Sequence, residues 1–168
     1  MSGQGSPDPG LELLEVTVDS TMPLPEAVSE EAITSLVDHV LRAEHAGGRW
    51  SLGFQFTSDP EMQRMHLEFM GLDSPTDIMT FPYEAEDWSE GGSPLGVDEA
   101  GGDIVISVDR ARDHAEDADW DVADEQFFLV CHGMLHLVGW DDASDGDRAA
   151  MLDRQRTLMG SWRSTQPS

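Results

Sequence analysis

The sequence predicts a single α+β domain in which a small four-stranded mixed sheet packs with about five helices. Four short segments carry the apolar patterns of strands, and about five longer ones carry apolar residues at helical spacing. These segments do not alternate as regular strand–helix–strand units, which would instead indicate a parallel α/β sheet. A chain of 168 residues is also long enough for one domain with a substantial core.

The predicted domain covers residues 11–162. Residues 1–10 are mostly Gly, Ser and Pro, which predicts a flexible N-terminal tail, and residues 163–168 are expected to form a C-terminal tail. The sequence shows neither a signal peptide nor an apolar segment of membrane length. A cytoplasmic protein without membrane contact is therefore expected.

The charge of the chain is extreme. It contains 34 acidic and 9 basic residues, all nine of them Arg, for a net charge of -25. Such an excess repels itself in dilute salt and exceeds what solubility requires. Because 39% of the residues are hydrophobic and periodically arranged, a disordered acidic protein or a nucleic-acid mimic is disfavoured. The composition predicts a halophilic protein of a very salty cytoplasm, in which RNA binding must rely on local Arg, metal and screening.

Two strand–helix pairs are predicted in the first half of the chain. Residues 11–18 and 50–56 predict strands because apolar and polar residues alternate in both. Apolar residues at helical spacing predict a helix over residues 26–44. A second helix is expected to begin after Ser58, because Glu61 completes a capping box with it. The other predicted elements are a strand over residues 78–82, an exposed acidic loop over 83–100, a strand over 102–107, and three helices beginning near residues 109, 122 and 145.

The clearest chemical signal lies in the predicted helix over residues 122–138. His132 and His136 are four residues apart and therefore share one helical face. Gly139 is a natural end for the helix, since glycine adopts the left-handed conformation without penalty. Asp142, three residues later, can fold back toward the two imidazoles. Three protein ligands and an open position are typical of a catalytic zinc site, so one zinc ion held by these three residues is predicted.

Two interpretations without this ligand set stay open. The histidines can be packed core residues, and Asp142 can cap the next turn instead of binding metal. The zinc peptidases place a general-base Glu directly after the first His, whereas Gly133 stands here, which disfavours a peptidase. Cys131 is predicted to be a buried small hydrophobic residue, because adjacent helical residues point about 100° apart and it cannot pair well with His132.

Three segments carry a family resemblance. The run His-Gly-Met-Leu-His-Leu-Val-Gly-Trp-Asp-Asp from His132 to Asp142 resembles the signature His-Gly-x-Leu-His-Leu-x-Gly-Tyr-Asp-His of the YbeY family, bacterial rRNA-maturation endoribonucleases. Residues 75–82 resemble the family's Pro-Thr-Asp-Val-Leu-Ser-Phe-Pro, and residues 102–107 resemble its Gly-Asp-Ile strand. Glu125 stands where a Glu usually precedes the metal helix. The resemblance covers nearly the whole chain beyond the first ten residues.

The resemblance implies a zinc-dependent, single-strand-specific endoribonuclease that acts in rRNA 3′-end maturation and ribosome quality control. Its implied partners are ribosomal RNA and the small ribosomal subunit, with no DNA expected. The family holds its zinc with three histidines, and Asp142 occupies the third position here. Aspartate is a competent zinc ligand, but its negative charge makes the site less electrophilic.

His66 and Met70 stand where the family usually shows Asn and Arg. Methionine cannot clamp a phosphate as a guanidinium does, and His66 is a candidate acid or phosphate donor, with an exposed helical histidine as the alternative. Asp77 is a candidate for orienting water or a ligand imidazole, with a turn that fixes the entry to a strand as the alternative. These departures keep a second function open, a ribosome-assembly factor with weak or no nuclease activity. A metal hydrolase with another substrate is a third.

Overall fold

The computed structural model describes residues 11–71, 77–83 and 100–166. The predicted N-terminal tail, part of the turn before Asp77 and most of the acidic loop lie outside these ranges. The strands are β1 (Leu11–Ser20), β2 (Gly48–Thr57), β3 (Ile78–Pro82) and β4 (Ala100–Ser107). The helices are α1 (Glu30–Ala43), α2 (Asp59–Met70), α3 (Val108–Ala118), α4 (Val122–Leu137) and α5 (Asp145–Thr165).

The strands form one sheet in the order β1-β2-β4-β3. The first three are parallel to one another, and β3 runs antiparallel to β4. In this register Val16 pairs with Leu52, Leu52 pairs with Gly102, and Thr80 pairs with Ile104. Four strands of mixed direction with five helices confirm the predicted α+β fold class.

The main core lies between one face of this sheet and the helices α1 and α4. Phe54, Phe56, Ile104 and Ile106 contribute the buried side chains of the sheet. The long helix α5 packs against α4 and α1, where Trp162 contacts Phe127 with their ring centroids 5.0 Å apart. Because α4 lies between the sheet and α5, its side chains are held from two sides.

The opposite face of the sheet carries a much smaller core. Met62 of α2 packs there on Met79 and Val105, next to the partly buried Met65 and Phe81. The last turn of α2 leaves Leu67, Phe69 and Met70 exposed. None of the helices in the described ranges is long and apolar enough to cross a membrane.

One helix begins later than the sequence predicts, and another runs past the predicted limit of the domain. The helix predicted over residues 26–44 begins only at Glu30, because the Ser29 hydroxyl accepts from the Ala32 N–H at 3.1 Å and caps it there. At the other end of the chain, α5 extends to Thr165, beyond the predicted domain limit at residue 162. The cap at Ser58 is confirmed, since its hydroxyl accepts from the Glu61 N–H at 3.4 Å.

Candidate metal centre

Helix α4 presents its two histidines on a face that the sheet does not cover. Its residue Gly133 lies against the sheet instead, where a Cβ would come within 2.9 Å of Ile104 Cδ1. The glycine therefore allows the helix to approach β4 closely. Any side chain at this position, including the general-base Glu of zinc peptidases, would require Ile104 to shift, which agrees with the sequence pattern in disfavouring a peptidase.

The turn after α4 brings a carboxylate back to the histidines. Gly139 has a φ of +110°, the region that favours glycine, and its N–H donates to the His136 carbonyl at 3.1 Å. Asp141 accepts from the Ala143 N–H at 3.2 Å and so caps the turn. The capping role considered for Asp142 therefore falls to its neighbour, and the carboxylate of Asp142 is directed at the two imidazoles.

Three ligand atoms converge at this turn. The Nε2 atoms of His132 and His136 are 3.1 Å apart, and Asp142 Oδ2 lies 3.6 Å from the first and 3.4 Å from the second. Tetrahedral zinc with bonds of about 2.0–2.1 Å separates its ligand atoms by about 3.3–3.4 Å. The spacing of the three atoms therefore suits a single tetrahedral ion.

Hydrogen bonds at the far side of each ring fix where the imidazole protons are. His136 Nδ1 lies 3.1 Å from the Trp140 carbonyl oxygen, which only accepts, so this nitrogen carries the proton. Gln155 donates its amide N–H to the Phe128 carbonyl at 2.9 Å, which turns its Oε1 toward His132 Nδ1 at 3.1 Å. His132 Nδ1 must therefore also be the donor.

With Nδ1 as the donor, the neutral form of each ring carries its lone pair on Nε2, which faces the cluster as an acceptor. Neither can donate to the other, and the Asp142 carboxylate beside them is also an acceptor. A cation satisfies all three groups at once, so the donor set fits a metal ion. Within the described ranges, the side chains of His132, His136 and Asp142 form the group of ligands that can hold one.

A second set of polar contacts anchors the turn to two helices. The Trp140 indole N–H donates to Glu44 Oε1 at 2.7 Å, and Arg154 Nε donates to Glu44 Oε2 at 2.6 Å. Glu44 follows α1, and Arg154 belongs to α5. The carbonyl that orients His136 thus belongs to a residue held by both neighbouring helices.

A pocket of about 270 Å³ opens beside the cluster. His132 and Asp142 line it together with Asp77, Glu125 and Arg148, so the predicted site residue Asp77 does lie near the ligands. His66, the other predicted catalytic residue, belongs to α2 on the opposite face of the sheet and is not among the residues that line this pocket. Its catalytic role stays a prediction.

An imidazole lies between two of the three carboxylates that line this pocket. His114 Nδ1 lies 3.8 Å from Asp77 Oδ2 and 3.6 Å from Glu125 Oε2. Burial raises the pKa of Glu125, and the nearby Asp77 carboxylate adds to this, while the Trp120 indole hydrogen bond and His114 partly offset it. Glu125 therefore holds its proton more tightly than an exposed carboxyl.

Sequence reasoning missed Gln155, Glu44 and His114, whose partners lie far away along the chain or on other helices.

Cys131 is fully buried, as predicted, and burial raises the pKa of its thiol to about 12. A thiol in this state is a poor nucleophile, because the reactive form is the thiolate.

Comparisons with known proteins agree with one another. The sequence pattern of the family described as Endoribonuclease YbeY matches residues 17–163. The chain is 33% identical to the Endoribonuclease YbeY of Halalkalibacterium halodurans over 84% of this chain and 91% of that protein. For the Endoribonuclease YbeY of Roseiflexus sp. the identity is 35%, over 86% and 92% of the two chains. The solution structure of TM1509 from Thermotoga maritima shares the fold, with a TM-score of 0.58, 22% identity and coverage of 90% and 92%.

Proposed function

The chain belongs to the endoribonuclease YbeY family, and from that premise we propose that it is a zinc-dependent endoribonuclease specific for single-stranded RNA. The observation that carries the proposal is the meeting of two imidazole lone pairs and one carboxylate at tetrahedral spacing beside a pocket. Borderline ions such as zinc take imidazole nitrogen and carboxylate oxygen readily, whereas Mg²⁺ and Ca²⁺ prefer oxygen. We therefore assign one zinc ion to His132, His136 and Asp142.

His132, His136 and Asp142 would hold the zinc ion, which would supply the Lewis acidity and the activation of water that phosphodiester hydrolysis requires. The protein's own part is to place the reacting groups. Asp77 faces the same pocket and is assigned the orientation of the attacking water. His114 Nδ1 lies 3.8 Å from Asp77 Oδ2, which places an imidazole beside this carboxylate.

Arg148 is the guanidinium that we assign to the substrate phosphate. It lines the same pocket as Asp142. Its Nη1 pairs with Asp145 Oδ1 at 2.8 Å, and the Asp145 side chain is fully exposed. Exposed ion pairs contribute little free energy, so the guanidinium can leave Asp145 for a phosphate at little cost. Met70, which stands at the family's Arg position, is exposed at the end of α2 and cannot do this.

The biological role that we propose follows the family: maturation of rRNA 3′ ends and ribosome quality control, with ribosomal RNA and the small ribosomal subunit as partners. A net charge of -25 opposes RNA binding in dilute buffer, since RNA is itself an anion. Concentrated salt screens that repulsion. We propose a salty cytoplasm as the setting, so that the zinc and Arg148 supply the local attraction.

The test is RNA cleavage in molar KCl, using one RNA sequence as a single strand and as a duplex. We expect cleavage of the single strand alone, loss of cleavage with a chelator, and recovery when zinc is restored. His136→Ala is expected to remove cleavage, and His39→Ala, a histidine of α1 that contacts Ser161, is the matched control.

A second candidate is a ribosome-assembly factor of the same fold with little nuclease activity. The exposed Met70 and the carboxylate at position 142 favour it, because they replace the Arg and the third ligand His of the family pattern. Binding of wild type to small ribosomal subunits in molar KCl without any cleavage of single-stranded RNA would support this function and contradict the first.

A further inference from the structure

We propose that Gln155 is a positioning residue that fixes the proton of His132 on Nδ1 and thereby makes its Nε2 available as a ligand. Gln155 is buried, with 2% of its surface exposed, as few polar side chains in the described part of the chain are. It lies on α5, one helix away from the histidine. The part of this inference that concerns zinc rests on the proposed function, whereas the part that concerns the tautomer does not.

The orientation of the Gln155 amide is determined by the backbone of α4. The Phe128 carbonyl oxygen is 2.9 Å from Gln155 Nε2 and can only accept. The reversed amide would place two oxygens against each other there, and buried acceptors without donors are costly. Phe128 stands four residues before His132 on the same helix. Helix α4 therefore carries the ligand and also fixes the orientation of the Gln155 amide, which in turn orients the His132 ring.

The amide oxygen then determines the tautomer. Gln155 Oε1 lies 3.1 Å from His132 Nδ1 and requires a donor there. An N–H on Nδ1 leaves the lone pair on Nε2, the atom that faces His136 and Asp142. The alternative tautomer would leave Oε1 without a donor and direct an N–H into the ligand cluster. Outer contacts of this kind set ring orientation and ligand basicity in metal sites.

A second buried glutamine provides a matched control. Gln126, on α4, is fully buried, and neither Oε1 nor Nε2 has a hydrogen-bond partner among the described residues. Replacing it with Leu removes a buried amide without removing a contact to a ligand. Any effect on His132 that is specific to Gln155 must therefore be absent from Gln126→Leu.

The experiment compares wild type, Gln155→Leu, Gln155→Glu and Gln126→Leu in molar KCl. The nitrogen chemical shifts of His132 in the zinc-free proteins report the tautomer, and competition with a chromophoric chelator reports zinc affinity. We expect His132 in Gln155→Leu to populate both tautomers instead of the Nδ1–H form alone. We also expect the zinc affinity of this variant to fall by about 10- to 100-fold. Gln126→Leu is expected to match wild type in both measurements.

Gln155→Glu separates positioning from packing. Its carboxylate still accepts from His132 Nδ1 but no longer donates to the Phe128 carbonyl, so we expect lower stability with the tautomer and zinc affinity retained. If Gln155→Leu does not fold, a loss of the Nδ1–H tautomer in Gln155→Glu overturns the proposal. An unchanged His132 tautomer in a folded Gln155→Leu also overturns it. A wild type that binds no zinc contradicts the proposed function instead, while the tautomer measurement still decides the role of Gln155.

Discussion

The Nε2 atoms of His132 and His136 lie 3.1 Å apart, and both carry lone pairs when the two rings are neutral. Each ring donates through Nδ1, one to the Gln155 side chain and the other to the Trp140 carbonyl. Two lone pairs and the Asp142 carboxylate are thus held against one another, an arrangement that a bound cation relieves. Because the cation binds only the folded arrangement of these three residues, its binding also stabilises the fold.

Gln126→Leu is predicted to stabilise the protein. Both amide atoms of Gln126 are buried without a partner among the described residues, and such a group costs about 1–3 kcal/mol. The unfolding free energy from urea titration in molar KCl should therefore rise by an amount in that range. A lower unfolding free energy would show that the amide has partners that the structure does not contain.

Glu44→Ala is predicted to weaken both the fold and the metal centre. The substitution removes the acceptor of Arg154 and of the Trp140 indole, both partly buried. Breaking a fully buried pair costs about 3–5 kcal/mol, because the remaining charge is left unpaired. We expect a loss at the lower end of that range, since the Arg154 side chain is 30% exposed. Because Trp140 orients His136, zinc affinity should fall as well.

The control for Glu44 is Asp38, which pairs with Arg42 on the exposed side of α1. Asp38→Ala should cost less than about 1 kcal/mol, the usual value of an exposed pair, and should not affect zinc. Equal losses in the two variants would refute the anchoring role of Glu44.

Arg148→Gln is predicted to reduce RNA cleavage with zinc content unchanged. Removing a charged hydrogen bond to phosphate costs about 1.5–3 kcal/mol, so the catalytic efficiency should fall by roughly 10- to 150-fold. Arg42→Gln is the matched control, because that guanidinium is similarly exposed and also pairs with an acid of its own helix. Identical rates for the two variants would remove Arg148 from the substrate site.

The raised pKa of Glu125 predicts that the stability of the protein depends on pH. Burial raises its pKa above the ordinary 4.5, so the folded state holds this proton more tightly than the unfolded state. Its contribution to stability is complete below pH 4.5 and is lost as the pH rises through the raised value. The unfolding free energy of wild type relative to Glu125→Gln should therefore decline from pH 4 upward, in about the range where carboxyls titrate. A difference that grows with pH would contradict the raised pKa.

Local patterns were sufficient to predict most of the fold and the convergence of the three ligand candidates. Helical spacing placed His132 and His136 on one face, and Gly139 determined where the chain turns back. The start of α1 was missed because the chain first makes a turn, in which the Val28 N–H donates to the Pro25 carbonyl at 2.9 Å, and Ser29 caps the helix only after it. Spacing alone contains no information about where the cap lies.

The supporting contacts could not be predicted, because they join residues that are distant along the chain. Gln155 is 23 residues from His132, and Glu44 is 96 residues from Trp140. Their sequence context is that of ordinary amphipathic helices, in which a glutamine or a glutamate is typical of the exposed side. Only the packing of α5 against α4 and α1 makes them part of the metal centre.

The central claim is that Asp142 completes a zinc site with the two histidines. Its most direct test is the zinc content of purified wild type, Asp142→Ala and Asp142→His in high salt. We predict nearly one zinc per chain in wild type and in Asp142→His, with a sharp loss in Asp142→Ala. Zinc that is unchanged in Asp142→Ala, or present only in Asp142→His, would contradict this account.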